Sequence, residues 1–230
     1  MTLSEALVLL RGLEPPFLEG LTPPERATLF ETATIQKFKP GSLITHQGFP
    51  AERIALLVHG SARFTCTTIT GRKLSLHWIN PGDICGLSSL LLHPREWLMS
   101  AEAVKVSVAL VWQRPAIRSF AVTCPRIMEN ALLLGYEYIR RYQDAHISGT
   151  SQSARQRLAL VIGALAEGIG HDVKDGIELN VLNEDLANEA NVTVFTTSRL
   201  LNEWQRESLL VKTRGKIVVR CPQDLLRRAS

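Results

Sequence analysis

The chain has 230 residues, of which 45% are hydrophobic, and a formal net charge of +4. This length allows one large domain or two ordinary ones with real cores. No apolar run approaches the roughly 18 residues of a membrane span, and Glu5 stands where a secretory signal would be basic or apolar. We therefore expect a cytoplasmic protein with no membrane partner.

Four cysteines lie far apart and form no C-x-x-C pair: Cys66, Cys85, Cys124 and Cys221. This spacing favours reduced structural thiols over a zinc site or an iron-sulfur cluster.

The first half of the chain, from Phe17 to about Phe120, is dominated by short β-like segments. A small helix is expected at Pro23 to Thr34. After it, β-branched and alternating apolar residues mark five strands, Ser42 to His46, Ile54 to His59, Ala62 to Ile69, Lys73 to Ile79 and Val104 to Trp112. Glycines separate these segments at positions that suit tight turns. The pattern predicts an antiparallel β-roll or jelly roll.

A long helix is predicted from Pro125 to about Ile147. Apolar residues recur at intervals of three or four, at Ile127, Ala131, Leu134, Tyr138, Tyr142 and Ala145. Such a stripe predicts pairing with a second copy, and the alternative is packing on the chain's own roll. Gly135 is a weak point inside this helix.

A linker is predicted at Ser148 to Ser151, whose small polar residues would stop the long helix. The domains expected are therefore 1–122, 123–147 and 148–230. A helix from Ala154 to about Glu167 follows, then a polar turn at His171 to Glu178 that leads into a short strand.

The segment from Leu182 to Val219 has the capping and turn residues typical of a helix-turn-helix with a wing. Asn183 is the expected N-cap of a first helix, which carries apolar residues at Leu186, Ala187 and Ala190. Asn191 tolerates the left-handed backbone of the turn, and Thr193 can cap the second helix.

The second helix is predicted from Val194 to about Glu207. Its inward stripe would be Val194, Thr197, Leu200, Leu201 and Trp204. A helix that exposes hydroxyls, one aromatic ring and one guanidinium suits a DNA major groove. The candidate DNA-binding residues on it are Thr193, Val194, Phe195, Thr196, Ser198 and Arg199.

The wing is predicted as two strands, Leu209 to Val211 and Ile217 to Val219, around a basic turn. That turn supplies Lys212, Arg214 and Lys216 as candidate DNA contacts. From Arg199 to the C-terminus there are eight basic and three acidic residues, so the positive charge is concentrated where phosphates would be neutralised.

The run EDLANEANVTVFTTSRLL resembles the DNA-binding end of the CRP/FNR family of bacterial transcription regulators. The runs KPGSLITHQG, VHGSARF, ITGRKL and NPGDICG are similar to the turns of that family's effector domain. The resemblance implies an α+β protein with a cyclic-nucleotide-binding-like roll, a long dimerisation helix and a C-terminal winged helix-turn-helix. It also implies a homodimer on palindromic double-stranded DNA, with RNA polymerase as a partner.

Within the resemblance, Arg199 matches the family's recognition-helix arginine and Ser198 the small residue before it. Phe195 departs from the pattern, because many members have a glutamate there that accepts from a cytosine amino group. Phenylalanine can only pack against a thymine methyl.

The effector site is predicted from the same resemblance. Members that bind a cyclic nucleotide hold its phosphate with an Arg-Ser or Arg-Thr pair, and alignment from Ala103 puts those positions on Trp97 and Leu98. Arg95 lies two residues early, so nucleotide binding through a shifted register stays open. The candidate pocket comprises Gly82, Asp83, Gly86, Arg95, Trp97 and Leu98. We expect an effector other than cyclic AMP, or none, and an apolar interior or pocket lined by Leu90, Leu91, Leu92, Trp97, Leu98 and Met99.

Haem is the other cofactor considered, with His77 and His93 as the candidate ligands among scattered histidines. No oxygen-labile iron-sulfur cluster is expected, because no cysteine precedes Cys66. The histidines do not cluster with carboxylates as metal-dependent enzyme chemistry in a roll would need, so we expect a regulator and not an enzyme. The alternative is an effector-binding module that docks a protein partner through its basic tail.

Overall fold

A computed structural model describes residues 3–93, 95–213 and 215–229 of the chain. The chain divides into two compact units, Met1–Arg141 and Tyr142–Ser230. None of the helices within the described ranges is long and apolar enough to cross a membrane. The finer division into 1–122, 123–147 and 148–230 stays a prediction.

The first unit is a β-roll with helices on one side. Its helices are α1 (Leu3–Leu13), α2 (Pro23–Glu31), α3 (Arg114–Thr123) and the first part of α4 (Arg126–Ser151). Its strands are β1 (Thr34–Phe38), β2 (Leu43–Thr45), β3 (Arg53–His59), β4 (Ala62–Thr67), β5 (Lys73–Ile79), β6 (Ile84–Cys85), β7 (Ser100–Ala103) and β8 (Ser107–Gln113).

These strands form two antiparallel sheets, in the orders β1-β8-β3-β6 and β2-β7-β4-β5. Strand β3 is buried on both faces, which explains its unbroken apolar run. Ala55 and Leu57 contribute to the core between the sheets. Ile54, Leu56 and Val58 contribute to a second core that the helices cover. The predicted β-roll is confirmed.

The sequence patterns missed several elements of this unit. Helices α1 and α3 were not expected, nor were strands β1, β6 and β7. Helix α3 packs Ile117 and Phe120 into the helix-side core, where Trp112 donates from Nε1 to Leu29 O at 2.8 Å. Strands of two to five residues are too short for a period-2 pattern to stand out.

The second unit comprises the end of α4 and the helix-turn-helix with its sheet. Its elements are α5 (Ala154–Ile169), β9 (His171–Val173), β10 (Gly176–Leu179), α6 (Asn183–Glu189), α7 (Val194–Arg206), β11 (Leu210–Thr213), β12 (Lys216–Val219) and α8 (Pro222–Ala229). The strands pair antiparallel in the order β11-β12-β10-β9. The winged helix-turn-helix is confirmed, with a four-stranded sheet in place of a simple hairpin.

Three local predictions in this unit are wrong. Helix α4 continues through Ser148 to Ser151 and ends there, because serine and threonine can remain in a helix whose backbone hydrogen bonds continue. The break falls next to Ser153, whose side chain accepts from Gln156 N at 3.2 Å as the N-cap of α5. The polar segment after α5 folds as the hairpin β9–β10. Asn183 is the first residue of α6 and not its N-cap, a position that Leu182 occupies.

The predicted stripe on α4 faces the roll and not solvent. Ile127 is fully buried in the helix-side core, and Ala131 and Leu134 pack against it. Tyr138 packs on the inter-sheet core and donates from its hydroxyl to Ile84 O at 2.8 Å. Ile127 is therefore fully covered within the chain, whereas Ala131, Leu134 and Tyr138 are half-buried and Tyr142 is exposed. The dimer seam through these residues stays a prediction. The side chain of Ala145 lies outside the described part of the chain.

A second apolar stripe lies on the exposed side of the same helix. Met128, Leu132 and Ile139 are exposed, and Gly135 falls between them at the i, i+4, i+7, i+11 spacing of a coiled-coil seam. We refer to Met128, Leu132, Gly135 and Ile139 as the α4 outer seam.

Candidate nucleic-acid interface and effector site

The turn between α6 and α7 fixes how α7 is presented. Asn191 adopts a φ of 50°, the left-handed conformation expected of it. The Thr193 side chain caps α7 by accepting from Thr196 N at 3.0 Å. Helix α7 then begins at Val194, as predicted, and ends at Arg206.

The inner face of α7 is fixed by the core of the second unit. Thr197, Leu200, Leu201 and Trp204 are buried as predicted, and Leu158, Ile162, Leu186, Leu210 and Leu225 are buried in the same unit. Val194 was expected inside, but 48% of it is exposed. As the first residue of the helix it precedes the buried stripe, which starts at Thr197.

The outer face of α7 carries the other candidate DNA contacts. Phe195 is 79% exposed, and Arg199 is exposed one helical turn later on the same face. Ser198 and Thr196 are half-buried. The Thr193 and Thr196 hydroxyls lie 2.8 Å apart and share a hydrogen bond.

An ion-pair network that the sequence patterns missed backs this face. Arg199 donates from Nη1 to Glu203 Oε1, and Glu203 Oε2 accepts from Arg155 Nη1 at 3.1 Å. Arg155 also donates to Glu207 at 3.0 Å and lies 5.4 Å over the Trp204 ring. Arg155 therefore has structural partners, and the i, i+4 spacing of Arg199 and Glu203 was the only local signal for the network.

Two of the three basic residues predicted to contact DNA from the wing, Lys212 and Lys216, lie on its described strands. Lys212 lies in β11, where its Nζ donates to Asn202 Oδ1 at 3.4 Å. Lys216 lies in β12 and donates to Glu178 Oε1 at 2.9 Å, which holds the pKa of that carboxyl below its usual range. Gly215 supplies the positive φ of the turn, and Arg214 lies outside the described residues.

In the first unit, the candidate effector site contains the indole of Trp97. The alignment from Ala103 assigns this position to the phosphate-binding arginine of the family. Trp97 is buried, and the Arg53 guanidinium lies 5.9 Å from its ring centroid. Arg53 is held in turn by Ile44 O, which accepts from Nη2 at 2.8 Å. Gly86 has a φ of 93°, and a side chain there would lie 2.5 Å from Arg53 O and 3.4 Å from Trp97 Nε1. Gly86 and Trp97 therefore pack closely together.

The other candidate pocket residues do not converge on an anion. Arg95 is exposed, and Leu98 is 80% exposed. Gly82 and Asp83 form a tight turn in which Asp83 Oδ2 accepts from Asn80 N at 2.7 Å. Burial raises the pKa of the Asp83 carboxyl.

The expected apolar lining is only partly correct. Leu90 and Trp97 are buried, and Met99 is half-buried, whereas Leu91, Leu92 and Leu98 are exposed. The loop is fixed through its backbone instead, because Arg114 donates to Leu91 O and Leu92 O, each at 2.9 Å.

His77, one of the two histidines considered for haem, is enclosed by aromatic rings. Its ring centroid lies 4.8 Å from that of Phe64 and 5.5 Å from that of Tyr138. Burial, helped by the charge of Arg141, lowers its pKa to about 4, so His77 is neutral at pH 7. A cavity of about 190 Å³ lies on the other side of Tyr138, lined by Asp83, Leu134 and Glu137 among others. His93 is exposed.

Side chains that could bind a metal are scattered in the described part of the chain. No three His, Cys, Asp or Glu side chains there are grouped as a metal site would require. The four cysteines are free thiols, and burial raises the pKa of Cys85 to about 12.

Each of the two units contains a match to a known protein domain. Residues 35–123 match the cyclic nucleotide-binding domain, and residues 156–228 match the Crp-like helix-turn-helix domain. The chain belongs to the CRP/FNR family of bacterial transcription regulators. Proteins of the CRP/FNR family are regulators and not enzymes.

Relatives in the CRP/FNR family align with most of the chain. The cyclic AMP receptor protein of Thermus thermophilus is 25% identical over 209 residues, which are 89% of this chain and 92% of that protein. Electron transport regulator A of Shewanella oneidensis is 24% identical over 190 residues, 80% of this chain and 75% of that protein. The structure of the c-di-GMP-responsive regulator CLP of Xanthomonas campestris superposes with a TM-score of 0.76 at 14% identity, covering 87% of this chain and all of that one.

Proposed function

We propose that this CRP/FNR regulator binds palindromic double-stranded DNA as a homodimer, with α7 in the major groove. The observation that carries the proposal is the outer face of α7. Its inner residues are buried in the second unit, while Phe195 and Arg199 extend outward from a helix whose N-terminus is capped by Thr193. Recognition helices contact base edges with such N-terminal residues.

Each candidate residue has a role in this proposal. Arg199 is the base-edge reader, since an arginine can donate twice to guanine O6 and N7. Thr193, Thr196 and Ser198 lie near phosphates. Lys212, Arg214 and Lys216 are the wing contacts. The net charge of +5 from Arg199 onward supports phosphate neutralisation, which makes binding fall steeply with salt.

Dimerisation is assigned to the α4 outer seam. Leu132 and Ile139 are 75% and 69% exposed, and two copies packed along this seam would remove both from water. Gly135 has open space around it, so it allows two helices to approach closely. A two-fold axis along α4 would give the DNA-binding units the symmetry of a palindrome.

The proposed control does not use a cyclic nucleotide. One relative is named for cyclic AMP and another is described as responsive to cyclic di-GMP, so the effector varies among similar proteins. In this chain Trp97 packs against Gly86 and Arg53, at the place where a phosphate-binding arginine would stand. DNA binding in the cytoplasm, and contact with RNA polymerase, would then depend on another effector or on none.

Selection of binding sites from a random duplex pool tests this function. The purified protein is used at low salt, with no ligand in one arm and with cyclic AMP in the other. We expect one palindrome in both arms, with half-sites centred about one helical turn apart. A third arm adds cell extract to supply an unidentified effector. No enrichment in any of the three arms by protein that is folded and dimeric would contradict DNA reading, and enrichment only with cyclic AMP would contradict the proposed control.

A further inference from the structure

The first turn of α7 presents an apolar tip to the proposed DNA surface. Phe195 is 79% exposed and Val194 is 48% exposed, side by side at the first two positions of the helix. Neither side chain has a hydrogen-bond donor or acceptor. A partner that covered the phenyl ring would remove its apolar surface from water, which is favourable.

Two hydroxyls beside this tip, those of Thr193 and Thr196, are engaged within the turn. Thr193 Oγ1 accepts from Thr196 N at 3.0 Å and lies 2.8 Å from Thr196 Oγ1. Thr197 is buried, and Arg199 lies one turn further along, paired with Glu203. Phe195 is the most exposed apolar side chain of the described first turn.

The edges of DNA bases differ in what they offer to a phenyl ring. Each base pair presents donors and acceptors in the major groove, and the only apolar group there is the C5-methyl of thymine. A phenyl ring over an amino or carbonyl group would strip it of water and offer no hydrogen bond in return. Over a methyl group it removes apolar surface from water at no such cost.

From these observations we infer that Phe195, flanked by Val194, reads the C5-methyl group of a pyrimidine. The bases that fit are thymine and 5-methylcytosine, because both carry that methyl group. This inference rests on the proposed DNA-reading function and names what the first turn of α7 recognises. Cytosine methylation at this position would then strengthen binding by the protein.

The spacing of the reading residues locates the methyl group. Phe195 and Arg199 are four residues apart, which is about 6 Å along the helix axis and about two base-pair steps. The methyl-bearing pyrimidine should therefore lie within about two base pairs of the guanine that Arg199 contacts.

Replacing each thymine of the selected palindrome by deoxyuridine tests the inference, because uracil differs from thymine only by the methyl group. We expect one position per half-site at which the change weakens binding about fourfold. This factor corresponds to about 0.8 kcal/mol for one buried methyl group, and it becomes about 15-fold when both half-sites are changed. Replacing that thymine by cytosine should weaken binding further. Replacing the cytosine by 5-methylcytosine should then increase the affinity about fourfold.

Variants attribute the effect to the side chain. Phe195→Ala should bind the thymine and deoxyuridine duplexes equally, whereas Phe195→Leu should keep most of the discrimination. Leu160→Ala removes an exposed apolar side chain from α5 and should behave as the wild type does. Because Phe195 is exposed, its replacement should leave thermal unfolding unchanged.

The outcomes separate the inference from the function beneath it. An enriched palindrome with no deoxyuridine-sensitive position overturns the methyl reading and leaves DNA recognition intact. A sensitive position that persists in Phe195→Ala overturns the assignment to this residue. Failure to enrich any duplex, with or without added cell extract, overturns both the function and the inference.

Discussion

Arg155 and Glu203 form an ion pair, with 3.1 Å between Nη1 and Oε2, that joins α5 to the recognition helix. The other oxygen of Glu203 accepts from Arg199. The Glu203 carboxylate thus pairs with two arginines. Arg155 packs within the second unit, and Arg199 is the proposed base reader. When Arg199 turns to DNA, Arg155 remains to satisfy the Glu203 carboxylate, so that exchange leaves no carboxylate unpaired.

Glu203→Gln should increase the affinity for DNA of any sequence. The carboxylate competes with DNA for Arg199 and repels phosphates, so its neutralisation should strengthen binding to a scrambled duplex by about two- to fivefold, the range of an exposed ion pair. Discrimination between the selected and scrambled duplexes should fall. Fluorescence anisotropy on both duplexes measures this, and an unchanged affinity for the scrambled duplex would refute the competition.

Arg155→Ala should destabilise the second unit. The change removes the bonds to Glu203 and Glu207 and the stacking on Trp204, which together are worth about 1–2 kcal/mol. Urea denaturation of this variant should be compared with that of Arg206→Ala, which removes an exposed arginine from the same unit. Equal stability of the two variants would show that the network contributes nothing.

Helix α7 could be predicted from the sequence because each local signal agrees with the fold. The Thr193 cap, the left-handed Asn191 and the spacing of Leu200, Leu201 and Trp204 all predict the same helix. The partners of Arg155 could not be predicted in this way. Glu203 lies 48 residues away, and only the packing of α5 against α7 brings the two together.

Helix α4 illustrates the limit of periodicity. It has one apolar stripe through Ile127 and Leu134 and another through Leu132 and Ile139. Both stripes satisfy helical spacing, and nothing local says which one the roll will cover. Spacing alone therefore favours the first stripe for pairing as much as the second. Long-range contacts with β6 and the helix-side core place the first stripe against the roll.

Leu132→Glu should convert the dimer to a monomer. Two such carboxylates facing each other across the α4 outer seam would have to be buried together, which costs several kcal/mol. Light scattering coupled to size exclusion measures the mass, and Leu92→Glu, at another exposed leucine of the first unit, is the matched control. A Leu132→Glu protein that stays dimeric would place the interface elsewhere.

Stability should fall in acid because of His77. Its pKa is about 4 in the folded state and about 6.5 when unfolded, so the unfolded state binds the extra proton between those values. The contribution of His77 to the free energy of unfolding is complete above pH 6.5. It decreases by about 3 kcal/mol in total as the pH falls towards 4. Urea denaturation from pH 7.5 to 4.5 should show a steeper loss for the wild type than for His77→Gln. Parallel profiles would contradict the assignment to His77.

Parallel selections with the wild type and Arg199→Ala, from one random duplex pool and without ligand, test the central claim most directly. We predict that the wild type enriches a palindrome and that Arg199→Ala loses the preference for one guanine in each half-site. The affinity of the variant for the wild-type palindrome should fall by about 1–3 kcal/mol. An identical palindrome enriched by both proteins, with equal affinity, would contradict the reading of DNA by α7.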